Sequence, residues 1–172
     1  DFMYKTRLDY AVLLNITPDH LDRYGSFENY VESKFRITQN QTSTDHFIYN
    51  IDDESITTKL ATKTLTANAI PFSVNQSLEN GAWADDTAFH INTQIPKIKF
   101  RMDLNQLTIS GKHNTYNSMA ASVIANSLLI RNEVIRESLM DGKTIEHRLE
   151  YLASVTGVDH FNDLQATNVN SA

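Results

Sequence analysis

Three clusters of side chains in this sequence of 172 residues could bind or move charge. The first is Asn15-Ile16-Thr17-Pro18-Asp19-His20-Leu21-Asp22, followed by Lys34 on the next helical segment. A neutral His20 imidazole can ligate a divalent cation. Beside Asp19 and Asp22, taken alone, such a histidine is more often a capping or surface residue. Lys34 falls at helical spacing among Phe27, Tyr30, Val31, Phe35 and Thr38, so the 3.6-residue period sets it in the middle of an apolar face. A lysine there either snorkels outward or is desolvated, and a desolvated lysine tends to lose its proton.

The second cluster is Ser110-Gly111-Lys112-His113-Asn114-Thr115-Tyr116-Asn117. Gly111-Lys112 invites a phosphate-loop reading, which fails: His113 stands where Ser or Thr is needed, and Gln106 where the first glycine should be. Asn114 and Asn117 instead share one helix face, with amide donors and acceptors suited to a purine edge. On chemistry alone the favoured reading is that they cap and solvate a helix start. The third cluster is Glu146-His147-Arg148-Leu149-Glu150 with Phe161-Asn162-Asp163. An arginine at a domain junction can reach a phosphate, and Asp163 at a strand end can accept from ribose hydroxyls. A charged strand edge followed by an Asx turn explains the same residues without a ligand.

The elements that must position these residues follow from the hydrophobic pattern. A buried strand at 10–14 leads to Thr17-Pro18, a helix cap with proline in the first helical position, and Gly25-Ser26 caps the longer helix. Strands at 47–50 and 69–73 bracket a weak helix at 55–61, and strand–helix alternation points to a parallel sheet. Phe89, Ile91, Ile98, Phe100, Met102 and Leu104 alternate with polar residues, the pattern of a half-buried antiparallel sheet. Helices follow at 113–129 and 133–140, then a linker at 141–143 and strands at 148–155 and 158–162. The expected fold class is α/β: a mostly parallel sheet flanked by helices, with a small antiparallel side sheet.

The bulk composition narrows the function. A formal net charge of −6 argues against nucleic acid as the main partner. No apolar run approaches a membrane span, and no signal peptide is expected ahead of the first residues. The absence of cysteine excludes disulfides and thiolate metal sites, which suits a cytoplasmic protein.

Taken in order, the motifs resemble the Mur ligase family. Residues 15–22 with Lys34 are similar to its central-domain signature, and Gly111-x-His113-Asn114-x-x-Asn117 is shared by Mur and folylpolyglutamate ligases. His147-Arg148-Leu149-Glu150 followed by Asn162-Asp163-x-x-Ala166-Thr167-Asn168 resembles the branch that joins D-glutamate to a UDP-linked muramoyl substrate. The resemblance implies a truncated P-loop-type central domain and an ATP-dependent, amide-forming ligase of peptidoglycan precursor synthesis. ATP would phosphorylate a carboxylate, and the incoming amine would displace phosphate from the acyl-phosphate. It further implies that His20 and a carbamylated Lys34 hold a Mg2+ ion. Asn114 and Asn117 would contact adenine, Arg148 and Asp163 the ribose-phosphate end of ATP, and Asn15 would lie close to metal and phosphates. A monomer is expected, with neither nucleic acid nor membrane as a partner.

The sequence also departs from the family. The family's phosphate loop precedes the strand at 10–14 and is not in this chain, nor is the domain that binds the UDP moiety. Residues 1–143 are therefore expected to be a central ATP-binding domain without its phosphate-loop part, and residues 144–172 the start of a C-terminal domain. Leu164-Gln165 stands where the family usually has Ser-Lys, a lysine that helps hold the incoming carboxylate. Alternatives are another Mur-type ligase, a folylpolyglutamate synthase, or a non-catalytic nucleotide-binding remnant.

Overall fold

The computed structural model describes residues 4–18, 21–109, 111–141, 150–155 and 158–162, with the backbone alone for 21, 22 and 150–162. The chain runs β1 (Tyr10–Leu13), α1 (Leu21–Tyr24), α2 (Phe27–Phe35), β2 (His46–Asn50), α3 (Glu54–Thr62) and β3 (Asn68–Ser73). It continues through β4 (Gly81–Ala84), β5 (Ala88–Gln94), β6 (Lys97–Asp103), α4 (Lys112–Ser127), α5 (Asn132–Met140), β7 (Glu150–Val155) and β8 (Val158–Asn162). Six strands form one sheet in the order β1-β2-β3-β4-β5-β6, and β7 and β8 form a second. Neighbours from β1 to β4 are parallel; β4-β5, β5-β6 and β7-β8 are antiparallel. The antiparallel strands read at 89–104 thus continue the parallel sheet rather than standing beside it.

The alternation of side chains along β1 to β3 explains why helices cover both faces of the sheet. Ala11, Leu13 and Phe47 meet Tyr30, Val31 and Phe35 of α2 and Ile56 of α3 on one face. Ile48, Ile70 and Phe72 meet Tyr116, Met119, Ala120 and Val123 of α4 on the other. Phe89, Ile91, Phe100 and Met102 extend that second core, and on β6 they are offset by exposed Lys97, Lys99 and Arg101. Burying each of these large apolar side chains contributes about 1.5–3 kcal/mol. Among the described residues, no helix is long and apolar enough to cross a membrane.

Local chemistry sets the element ends. The Ser26 hydroxyl caps α2, accepting from the Asn29 N–H at 3.2 Å, as its position in the sequence indicates. Thr17 and Pro18 stand outside any helix, contrary to the expected cap, and α1 begins at Leu21. β4 escapes the sequence pattern, and its entry depends on glycine. Gly81 has φ 140°, and a Cβ there would lie 2.3 Å from the Pro71 carbonyl oxygen. Pro71 is tolerated in β3 because its nitrogen and carbonyl point toward β4, whose ladder with β3 begins one residue later, at Phe72 opposite Ala82.

At the opposite end of the sheet, the Arg7 guanidinium grips Asp45 with Nε–Oδ2 at 2.9 Å and Nη2–Oδ1 at 2.8 Å. The Thr42 N–H also donates to Asp45 Oδ2. Arg7 and then Thr42 hold the Asp45 carboxyl down at about 2.

Candidate functional site

In open α/β sheets, ligands bind beyond the carboxyl ends of the parallel strands. Here the segments leaving β1, β2 and β3 and the first turn of α4 meet at that edge, and Asn50-Ile51-Asp52-Asp53 joins them. The Asn50 amide donates to the Leu14 carbonyl at 3.0 Å, and its oxygen accepts from the Asp52 N–H at 2.9 Å. Asp53 Oδ2 accepts from the Ile16 N–H at 2.8 Å, while Oδ1 caps α3 through the Ile56 N–H at 3.0 Å. The turn carrying Asn15 is thereby pinned on both sides of that residue.

Asp52 binds the remaining two pieces. Its Oδ1 accepts from the Ser73 hydroxyl at 2.7 Å, and its Oδ2 accepts from the Val74 N–H at 2.8 Å and the Tyr116 hydroxyl at 2.7 Å. Burial, reinforced by the Asp52 charge, pushes the Tyr116 phenol well above its ordinary range, so it remains a donor. Asp52 and Asp53 read in the sequence only as a turn before α3. Their partners Ser73 and Tyr116 lie far along the chain, and only the fold brings them together.

Asn114 and Asn117 both sit half-buried near the start of α4. Asn117 lines a groove of about 390 Å³ with Val12, Leu14, Ala120, Ala121 and Ile124. Leu14 precedes Asn15 directly, so Asn117 and the end of β1 share one open, mainly apolar trough. Its apolar walls and single amide suit a flat, partly polar ring.

Lys34 is not inside the apolar face. Tyr30, Val31, Phe35 and Thr38 are buried, while Lys34 is exposed, with its ammonium 4.9 Å from the Tyr30 ring centroid. The four-carbon stem reaches past the rim of the stripe, and the charge rests on the aromatic face in contact with water. The lysine snorkels and is not desolvated. His20, Arg148 and Asp163, like Leu164-Gln165, lie outside the described residues. Among the described residues, no group of three His, Asp or Glu side chains gathers into a metal site. The oxygens of Asp52 and Asp53 are already engaged by hydroxyl and backbone donors.

Comparison with known proteins bears on the fold and the family. The model of the Mur ligase middle domain matches residues 1–125. A UDP-N-acetylmuramoylalanine--D-glutamate ligase of Bacteroides fragilis is 48% identical over 172 residues, covering 99% of this chain and 38% of that protein. Its namesake from Porphyromonas gingivalis is 46% identical over 175 residues, with the same two coverages. MurF from Acinetobacter baumannii superposes with a TM-score of 0.66 at 22% identity, over 95% of this chain and 35% of that one. MurF ligase from Thermotoga maritima, solved in complex with ADP, gives 0.61 at 18% identity, over 91% and 35%. The two solved structures bear on the fold alone, and the chain spans 38% of the length of the curated relatives. With the middle-domain match and relatives at nearly half identity across the whole chain, the protein belongs to the Mur ligase family.

Proposed function

We propose that this chain is the nucleotide-binding part of an ATP-dependent ligase that forms an amide bond between D-glutamate and UDP-N-acetylmuramoylalanine. One observation carries the reading. The Asn15 turn and the Asn117 groove lie together at the carboxyl edge of the parallel strands, the position where such sheets take ligands. The names of the relatives supply the substrates. Residues 1–143 act as the central domain and residues 144–172 open the next one.

The chain's own residues divide the work. Asn114 and Asn117 read the adenine edge, and the apolar wall of the groove excludes water from the ring. Arg148 and Asp163 take the ribose-phosphate end. Asn15, whose flanking backbone is held by the Asn50 and Asp53 bonds, faces the transferring phosphate. As an ammonium, Lys34 repels a cation and fits magnesium only once a carbamate replaces its positive charge. Its exposure leaves the amine accessible to carbon dioxide. Mg2+, held by that carbamate and by His20, would neutralise charge on the phosphoryl oxygens. The reading implies a cytoplasmic, monomeric enzyme.

The test is phosphate release by the full product of the gene that encodes this chain. Release that requires ATP, UDP-N-acetylmuramoyl-L-alanine and D-glutamate together supports the proposal. Release with another amino acid, and none with D-glutamate, assigns the chain to another Mur-type branch. No ATP turnover with any acceptor favours a nucleotide-binding remnant.

A further inference from the structure

We infer that Asp52 is the positioning residue of the adenine site: through two separate tethers it fixes the first turn of α4 and hence the direction in which Asn114 and Asn117 face. This inference rests on the nucleotide-site reading above and goes beyond it, since Asp52 itself touches no proposed ligand.

Helix α4 starts after Gly111, at φ 102°, with no side-chain hydrogen bond at the cap position. Two long-range contacts take the place of the cap. The Tyr116 hydroxyl donates to Asp52 Oδ2 at 2.7 Å. The Lys112 ammonium donates to the Asn75 side-chain oxygen at 3.1 Å.

The second tether also leads back to Asp52. Asn75 is placed by the Ser73 hydroxyl oxygen, which accepts from the Asn75 N–H at 3.0 Å and the Gln76 N–H at 3.1 Å. With both acceptor positions of that oxygen taken, the hydroxyl hydrogen must find an acceptor, and Asp52 Oδ1 is that acceptor. A carboxylate is therefore required at position 52. An amide there keeps one oxygen but turns its NH2 toward either the Ser73 oxygen, whose lone pairs are both taken, or the Val74 N–H, which can only donate.

The geometry of α4 makes the consequence local. Asn114 lies between the two tether points, Lys112 and Tyr116, and Asn117 follows Tyr116 directly. The helix body is fixed independently of these hydrogen bonds by the Tyr116 ring, Met119, Ala120 and Val123 in the core. Loss of a tether lets the first turn fray or shift while the body of the helix stays packed. The predicted loss is therefore in adenine recognition, not in folding.

The experiment compares wild type, Asp52→Asn and Tyr116→Phe in the full gene product. Tyr116→Phe keeps the ring against Phe72, where the centroids are 5.8 Å apart, and removes only the hydroxyl. ADP binding is measured by calorimetry, and steady-state kinetics are measured for ATP and D-glutamate. Both variants should bind ADP about tenfold more weakly, equivalent to about 1.4 kcal/mol. KM for ATP should rise in step, with kcat and KM for D-glutamate within twofold of wild type. If Asp52→Asn does not fold, Tyr116→Phe decides alone. Folded variants with wild-type ADP affinity overturn the inference, as does a fall in kcat with KM for ATP unchanged, the signature of a merely structural role. A folded wild type that binds no adenine nucleotide overturns the underlying functional reading instead.

Discussion

Replacing Asp53 with alanine removes two bonds made by one carboxylate. Oδ1 caps α3 through the Ile56 N–H, and a lost N-cap costs about 1 kcal/mol. Oδ2 holds the Ile16 N–H, and Ile16 is 4% exposed, so water does not readily replace the acceptor. A buried donor left unsatisfied costs about 1–3 kcal/mol. Asp53→Ala should therefore lower stability by about 2–4 kcal/mol, read as a lower urea midpoint with an unchanged slope. Asp53→Ser retains a capping oxygen but cannot reach Ile16, so it should lose the second contribution only. Amide exchange separates the two: in Asp53→Ser the Ile16 amide loses protection while Ile56 keeps it. A cost below about 0.5 kcal/mol in Asp53→Ala, or a protected Ile16 amide in either variant, would refute the claim that Asp53 fixes the Asn15 turn.

Other predictions follow from single features of the fold. Leu129 ends α4 at φ 62°, with the Ile130 N–H bonded to the Ala125 carbonyl, a helix stop that favours glycine. Because Leu129 is 89% exposed and loses little packing, Leu129→Gly should raise stability by about 0.5–1 kcal/mol, measured by urea titration. Asp45 is held at about 2 in the fold, below its unfolded value of 3.8, so its contribution is complete above pH 3.8 and disappears as pH falls toward 2. The melting-temperature gap between wild type and Asp45→Asn should be constant from pH 7 to about 5 and close between about pH 4 and 2. For Lys34, the carbamate reading predicts that Lys34→Ala folds normally, loses ligation and regains part of it with added acetate but not with chloride. A lysine that only rests on Tyr30 predicts near-wild-type ligation and no response to acetate.

Local signals in the sequence located much of this structure. Ser26 marks the start of α2 because its hydroxyl bonds three residues ahead, and the alternation through Phe89, Ile91, Ile98, Phe100 and Met102 marks the buried side of β5 and β6. Features decided by distant partners were hidden. β4 is four residues, Gly-Ala-Trp-Ala, and is a strand only because β3 and β5 flank it. The roles of Asp52 and Asp53 depend on Ile16, Ser73 and Tyr116, whose approach no local pattern encodes. Lys34 shows the limit of periodicity. A helical wheel assigns a Cα to a face, but a four-carbon stem lets the charge leave it. The site itself was half legible: Leu14, at the end of β1, and Asn117 line one groove, whereas nothing in the spacing revealed the carboxylate that joins the end of β3 to α4.

The most direct test of the nucleotide site is hydrogen–deuterium exchange on the full gene product with and without Mg-ADP. ADP should slow exchange at residues 14–18, 51–53 and 111–118, and leave the β5-β6 hairpin unchanged. Protection confined to the β5-β6 hairpin, or none in these three segments at a saturating concentration of ADP, would contradict the assignment of the nucleotide to the carboxyl edge of β1, β2 and β3.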